Sequence, residues 1–263
     1  VRFRKSRDIE GIIKNSTISK KGKYWYISLQ VEYEAPLISH PNPDKALGLD
    51  MGIKSLITTS DGNHILGSNI YRRLEGKLRK EQQKLSRKKR GSNNSKKQKL
   101  KLSRVHEKIG NVRNDLLHKI TTDISKSHAT IFVEDLRISN MSRSAKGTIE
   151  EPGSNIKSKS GLNKSILDQG WYKLNELLSY KLDWLGGRLI KVPPKNTSMR
   201  CNNCGTIEKS NRISQSSFKC VSCSHEAHAD INAAQNILAA GLAVLACESN
   251  LIRGRKQEPL AAS

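Results

Sequence analysis

The chain has 263 residues, 35% of them hydrophobic and 27% charged, which is enough for one large domain or two modest ones around a buried core. No run approaches the roughly 20 consecutive apolar residues that span a bilayer, and the N-terminus shows no signal-peptide core. Lys and Arg number 47 against 24 acidic residues, a formal charge of +23. That surplus implies a polyanionic partner, and nucleic acid is preferred to a membrane because no segment sets a basic face against a Trp/Phe/Leu face.

In chain order, Lys23 to Glu34 alternates: Trp25, Ile27, Leu29, Val31 and Tyr33 share one parity, Ser28, Gln30, Glu32 and Glu34 the other. This is the period of a half-buried strand, so residues 1–34 read as part of a sheet or barrel, followed by a linker with Pro36, Pro41 and Pro43. Lys45–Asp50 and Lys54–Thr59 are short apolar strands, Asp61-Gly62 is a hairpin signal, and Asn63–Gly67 is a third strand. A helix starting at Ile70 is interrupted at Gly91–Ser95, and a second runs to about Ser127. Val105, Ile109, Val112, Leu116, Ile120 and Ile124 form one apolar stripe on the second helix. Thr130–Glu134 is a buried strand, 142–161 a loop, Asn163–Leu185 one helix with Trp171, Trp184 and Leu167 in its core, and Arg188–Val192 a strand. Ala229–Ala246 is the last helix, with Cys247 read as a small buried residue, and the final 16 residues are a tail.

The helical pair carries a charge run. From Arg72 to Lys108 there are sixteen basic residues against three Glu. Arg72, Arg73, Lys77, Arg79, Lys80, Lys84, Arg87, Lys88, Lys89, Arg90, Lys96 and Lys97 are candidates for phosphate contacts, which are indifferent to sequence. A solvated charged face is the alternative, although the imbalance is too large for pairing within the helices.

Cys201-x2-Cys204-x15-Cys220-x2-Cys223 has the spacing of two knuckles that share one tetrahedral zinc. Four thiolates leave no open position, so the zinc is structural, and without a secretory signal the spacing favours a metal in a reducing, cytoplasmic compartment over disulfides. His225 and His228 are nearby spare ligands. Asp50 and Glu134 each close an apolar strand and Asp230 opens the last helix, which are costly places for carboxylates unless paired or bound to a cation. Converging, they would form a hard oxygen site for Mg²⁺ or Mn²⁺. Each also has a plain alternative, as a turn, a strand cap or a helix-dipole partner, and spacing alone does not bring them together.

Gly48-Leu49-Asp50-Met51-Gly52-Ile53-Lys54, Val133-Glu134-Asp135-Leu136 and the run His228–Asn236 resemble the three split motifs of a RuvC-like nuclease. With Asn163–Asp168 and the cysteine ribbon before the third motif, the region from Ala46 to Pro259 resembles the OrfB/TnpB proteins of insertion sequences, relatives of the type V CRISPR effectors. The resemblance implies an α/β, RNase H-like (RuvC-like) mixed sheet with an inserted basic helical hairpin and a small zinc ribbon. It implies two Mg²⁺ ions held by Asp50, Glu134 and Asp230, with Asp50 bridging, and hydrolysis of DNA under a guide RNA from the transposon end. His228 is placed to order the turn, with contact to the scissile phosphate the alternative, and Asn232 and Asn236 either steady the metal site or serve as helix-surface or capping residues. The domains would be 1–36, the remnant of a longer N-terminal β-barrel; 37–196, the nuclease core, with 70–128 the inserted hairpin; 197–228, the ribbon; 229–247, the final helix; and 248–263, the tail. Such proteins are also called transposases, yet nothing here argues for strand joining over hydrolysis. The alternatives are an RNA-guided DNA-binding protein that does not cut, or a truncated family fragment.

Overall fold

The structure, a computed structural model, describes the chain except residues 1–2, 6–7, 23, 35–37, 149 and 256–263, and the side chains of 21 and 248–255. Parts of the expected N-terminal remnant, the Pro36 end of the linker, Lys23 of the first strand and the end of the tail therefore lie outside the described residues. The chain divides into two compact units, residues 1–38 with 69–114, and residues 39–68 with 115–263.

In the first unit β1 (Ile12–Lys21) and β2 (Tyr24–Glu32) pair antiparallel, with Ile18 opposite Ile27 and Lys20 opposite Trp25. Among the described residues this sheet has two strands. Ile27, Leu29 and Val31 are half-buried while Ser28, Gln30 and Glu32 are exposed, as the alternation predicts. Trp25 shares the apolar parity but is exposed, with the Lys20 ammonium 5.2 Å from its ring centre. α1 (Ile70–Ser86) packs against the first part of α2 (Asn93–Ser127) through Ile70, Leu78, Val105 and Ile109.

The second unit is built on a five-stranded mixed sheet of order β5-β4-β3-β6-β7: β3 (Ala46–Asp50), β4 (Ile57–Thr59), β5 (His64–Ile65), β6 (Thr130–Glu134) and β7 (Arg188–Val192). β3, β4 and β5 pair antiparallel, whereas β3, β6 and β7 run parallel. The central strands are apolar throughout because both faces are covered. Leu47, Leu49, Ile131 and Val133 join one core with Leu117, Ile120 and Ile124 of α2 and with α5 (Trp171–Trp184), whose Leu174, Leu177, Leu178 and Leu182 are buried. Each such buried side chain contributes about 1.5–3 kcal/mol. Phe132, on the opposite parity, packs with Val192 and with Ile237 of α6 (Ala229–Arg255). α6 crosses so close to β3 that a Cβ on Gly48 would lie 2.3 Å from the Ala234 carbonyl oxygen.

Several sequence expectations are corrected. The single helix over Asn163–Leu185 is two, α4 (Ile156–Gln169) and α5, broken at Gly170, whose φ of 72° lies in the left-handed region where glycine alone is unstrained. The loop at 142–161 follows a short helix, α3 (Ile138–Met141), and is shorter than expected, because a turn closes on a Gly147–Pro152 bridge and α4 starts at Ile156. Leu167 is 56% exposed, off the packed face, and Trp184 is 61% exposed, set edge-on to Tyr180 with ring centres 4.8 Å apart. α6 continues to Arg255, through the start of the expected tail, since no proline interrupts it. Cys247 is exposed because it lies off the face that carries Ala233, Ile237 and Gly241. Ala229–Cys247 is long and apolar enough to cross a membrane by length and composition, but it includes Asp230, Asn232 and Asn236, and its buried face packs on the sheet.

Candidate functional site

Strand period and register place the acids. Asp50 has the parity of Gly48 and Glu134 that of Phe132, so both point to the sheet face covered by α6. The pairing Leu49↔Val133 brings the two carboxylates to adjacent strand ends, and Asp230 sits in the first turn of α6. All three line one cavity of about 370 Å³, together with Thr197, Arg212 and Gln215. Burial, then the charges of Glu134 and Asp230, push the Asp50 carboxyl up to about 7, and Arg212 opposes that rise. Burial also raises Glu134, against a hydrogen bond donated by Thr197 Oγ1 to its Oε1. An oxygen-only donor set in which the charges of two acids raise the proton affinity of the third is of the kind a hard divalent cation takes.

Arg212 and Thr197 were not legible in the sequence. Arg212 donates to the Gln215 carbonyl at 2.9 Å and pairs with Asp230 Oδ1 at 3.2 Å. The wall that carries Thr197 is tied to α6. Asn236 Nδ2 donates to the carbonyls of Thr197 (2.9 Å) and Arg200 (2.7 Å), and Asn232 Nδ2 to that of Arg200 (2.8 Å). Both Asn side chains are buried. His228 accepts from the Asp230 backbone N–H at 3.3 Å through Nδ1, which orders the turn into α6.

The four cysteines are assembled. Their sulfurs lie within 4.8 Å of one another, with Cys201–Cys223 at 3.7 Å and Cys204–Cys220 at 3.5 Å. A tetrahedron of thiolates about 2.3 Å from zinc requires sulfurs roughly 3.8 Å apart, so the set fits that ion. Each pair sits on a turn of the same construction. Gly205 N–H donates to the Cys201 carbonyl and Cys201 N–H to that of Thr206; Ser224 donates to Cys220, and Cys220 to His225. Gly205 and Ser224 both take positive φ, 80° and 56°. Burial pushes the Cys201 thiol up to about 11, while hydrogen bonding with Thr206 draws Cys204 down to about 6. Buried Asn211 joins the two turns, donating to the carbonyls of Met199 (3.0 Å) and Thr206 (3.2 Å) and accepting from Val221 N–H (2.9 Å). β8 (Ser217–Lys219) and β9 (Glu226–His228) pair beside them, with Phe218 buried against Cys201 and Cys220. His225 and His228 are not part of the four-thiol group.

The twelve basic candidates belong to the first unit and are all exposed: Arg72 to Lys84 on α1, Arg87 to Arg90 in the turn after it, and Lys96 and Lys97 at the start of α2. Between α1 and α2 runs a groove of about 360 Å³ lined by Lys77, Lys101, Arg104 and Lys108 with Glu81. Glu81 is engaged by Gln98 Nε2 at 2.6 Å and Lys84 Nζ at 3.0 Å, which hold its carboxyl low.

Residues 28–145 match the family OrfB_IS605, described as "Probable transposase", and residues 171–237 match the Cas12f1-like TNB domain. The chain is 50% identical over 261 residues to "Putative RNA-guided DNA endonuclease InsQ" of Escherichia coli (strain K12), covering 98% of this chain and 65% of that protein. It is 35% identical over 224 residues to a "Putative RNA-guided DNA endonuclease" of Streptomyces pristinaespiralis, covering 85% of this chain and 51% of that one. The chain thus spans between about half and two thirds of the length of these relatives. Its fold resembles the Cas12f1 chain of a cryo-EM Cas12f1–sgRNA–target DNA complex, with a TM-score of 0.50, 21% identity, and coverage of 84% of this chain and 55% of that one. By these matches the chain carries an OrfB_IS605 domain and a Cas12f1-like TNB domain and is similar to these RNA-guided DNA endonuclease relatives over most of its own length.

Proposed function

We propose that the chain carries the nuclease core of a transposon-encoded, RNA-guided DNA endonuclease, an RNase H-like (RuvC-like) fold that hydrolyses DNA phosphodiesters in the cytoplasm. The observation that carries this reading is the cavity where Asp50, Glu134 and Asp230 converge from β3, β6 and α6. The sheet order, three antiparallel strands followed by two parallel ones, supports the fold, and the named relatives support the substrate and guide. Asp50, whose carboxyl feels the charges of both Glu134 and Asp230, would hold Mg²⁺ or Mn²⁺ together with those two acids. Bound there, such ions supply Lewis acidity at the attacking water and the leaving oxygen. Thr197 orients Glu134 by donating to one carboxylate oxygen. Arg212 offers a cation beside Asp230 that can turn to a phosphate oxygen. The four cysteines hold a structural zinc that folds the segment presenting Arg212, and the basic helices α1 and α2 grip guide and target backbones without reading sequence.

The test is cleavage of target DNA in Mg²⁺ by the full-length protein with its guide RNA. Asp50→Ala should reduce cutting by at least about a thousandfold with target binding retained; undiminished cutting overturns the assignment. The Arg212–Asp230 ion pair, which engages one of the three acids, is the observation that favours a binder that does not cut. Tight target binding without nicking in Mg²⁺ or Mn²⁺ would establish that reading instead.

A further inference from the structure

A second cavity, of about 610 Å³, adjoins the acid cavity and shares Leu136 and Pro194 with it. This volume lies within the roughly 300–1,000 Å³ of pockets that enclose small organic groups. Its lining combines apolar Leu136, Met141, Val192, Pro193 and Pro194 with the exposed cations Arg137 and Lys191 and the exposed Asn140 and Asp135. The backbone around it is constrained, by the consecutive prolines after β7 on one side and by the short helix α3 on the other. Among the described residues Arg137 has no acidic partner. Lys191 lies 3.6 Å from Asp135, with both side chains more than half exposed; such a pair is worth little and exchanges readily for a stronger anion.

An apolar slot rimmed by cations and continuous with a phosphodiester-cutting cavity has the chemistry of one nucleotide: a flat, largely apolar base joined to an anionic phosphate. We infer that this cavity is a nucleotide subsite that takes the base next to the scissile phosphate, with Arg137 and Lys191 on the neighbouring phosphate. The inference rests on the nuclease reading of the acid cavity. Apolar walls without an aromatic ring favour loose, sequence-tolerant seating, in keeping with a site that must cut at positions chosen elsewhere. Seating one base here draws the strand across Asp50, Glu134 and Asp230, and it requires that base to be unpaired.

Photo-crosslinking tests this without cleavage. The full chain, with no divalent ion added, is irradiated with a single-stranded DNA oligonucleotide carrying 5-iodouracil, and crosslinked peptides are mapped by mass spectrometry. Crosslinks are expected within residues 136–141 and 191–194, and Arg137→Glu should cut their yield by about fivefold or more while crosslinks on α1 and α2 persist. Crosslinks confined to the basic helices, none at all, or a yield indifferent to Arg137→Glu would overturn the subsite. Cleavage in Mg²⁺ is measured separately: a chain that crosslinks here but whose full-length, guide-bound form does not cut counts against the nuclease reading alone. One that cuts without crosslinking here counts against the subsite alone.

Discussion

The second unit contains two candidate metal centres built in opposite ways. The four thiols come from two turns of identical hydrogen-bond pattern, 3.5–3.7 Å apart in pairs, held by Asn211 and closed by Phe218. The three acids come from two parallel strands and a helix start, spread over Asp50 to Asp230, and meet only because the sheet orders β3 beside β6 and lays α6 across both. One centre is assembled locally, and a bound ion would complete a small fold. The other is assembled globally and concentrates like charge in a buried cavity that the rest of the unit already stabilises. Metal should therefore be a folding partner for the first and a relief of electrostatic strain for the second.

The largest expected effect follows from the first half of that contrast. Removing zinc with a chelator, or Cys220→Ser, should unfold residues 197–228, because structural zinc contributes on the order of 10 kcal/mol of folding free energy in such modules. Hydrogen exchange should show protection lost there and kept in β3, β6 and α5. A ribbon that stays protected without metal would erase the distinction.

The acids should behave in reverse. Asp50 has a folded pKa of about 7 against an ordinary 3.8, so the folded state keeps a proton that the unfolded chain has released. Stability without divalent ions is therefore lost as pH rises from about 4 through about 7. Asp50→Asn removes that penalty and should make the metal-free protein more stable at pH 8 by roughly 2–4 kcal/mol, the difference shrinking towards pH 5. Urea melts at the two pH values measure it. A variant less stable than the parent at pH 8 would mean that Asp50 is held by favourable contacts and not by strain.

Two smaller effects sharpen the picture of the ribbon. Asn211→Ala leaves two carbonyls and one N–H without their buried partner and should cost about 1–3 kcal/mol in the zinc-bound protein, visible as a lower melting temperature. Ser224 occupies the left-handed position that Gly205 fills in the sister turn, so Ser224→Gly should stabilise by up to about 1 kcal/mol, and Gly205→Ala destabilise by a similar amount. Negligible shifts in both variants would show that the left-handed position carries no strain in either turn.

The same local-versus-global division explains what could be read beforehand. Cysteine spacing encodes a turn, so the thiol cluster was legible from 23 residues. Asp50 and Glu134 were visible as acids ending apolar strands, but their meeting depends on strand order, which no local pattern carries; family resemblance supplied it. Arg212, Thr197 and Asn211 left no periodic trace, because each acts through one long-range contact from irregular chain. Gly170 is easily passed over, since an isolated glycine reads as tolerable within a helical stripe until its positive φ is seen. Trp184 was assigned to the core by its chemistry, whereas its helix turns it outward onto Tyr180.

The central claim is that three separated carboxylates jointly hold divalent ions. Manganese titration at pH 8, with bound Mn²⁺ counted by electron paramagnetic resonance, tests it most directly. Two ions per chain, displaced by Mg²⁺ and lost in both Asp50→Asn and Glu134→Gln while circular dichroism stays unchanged, is the predicted result. Binding that is undiminished in both variants would contradict it.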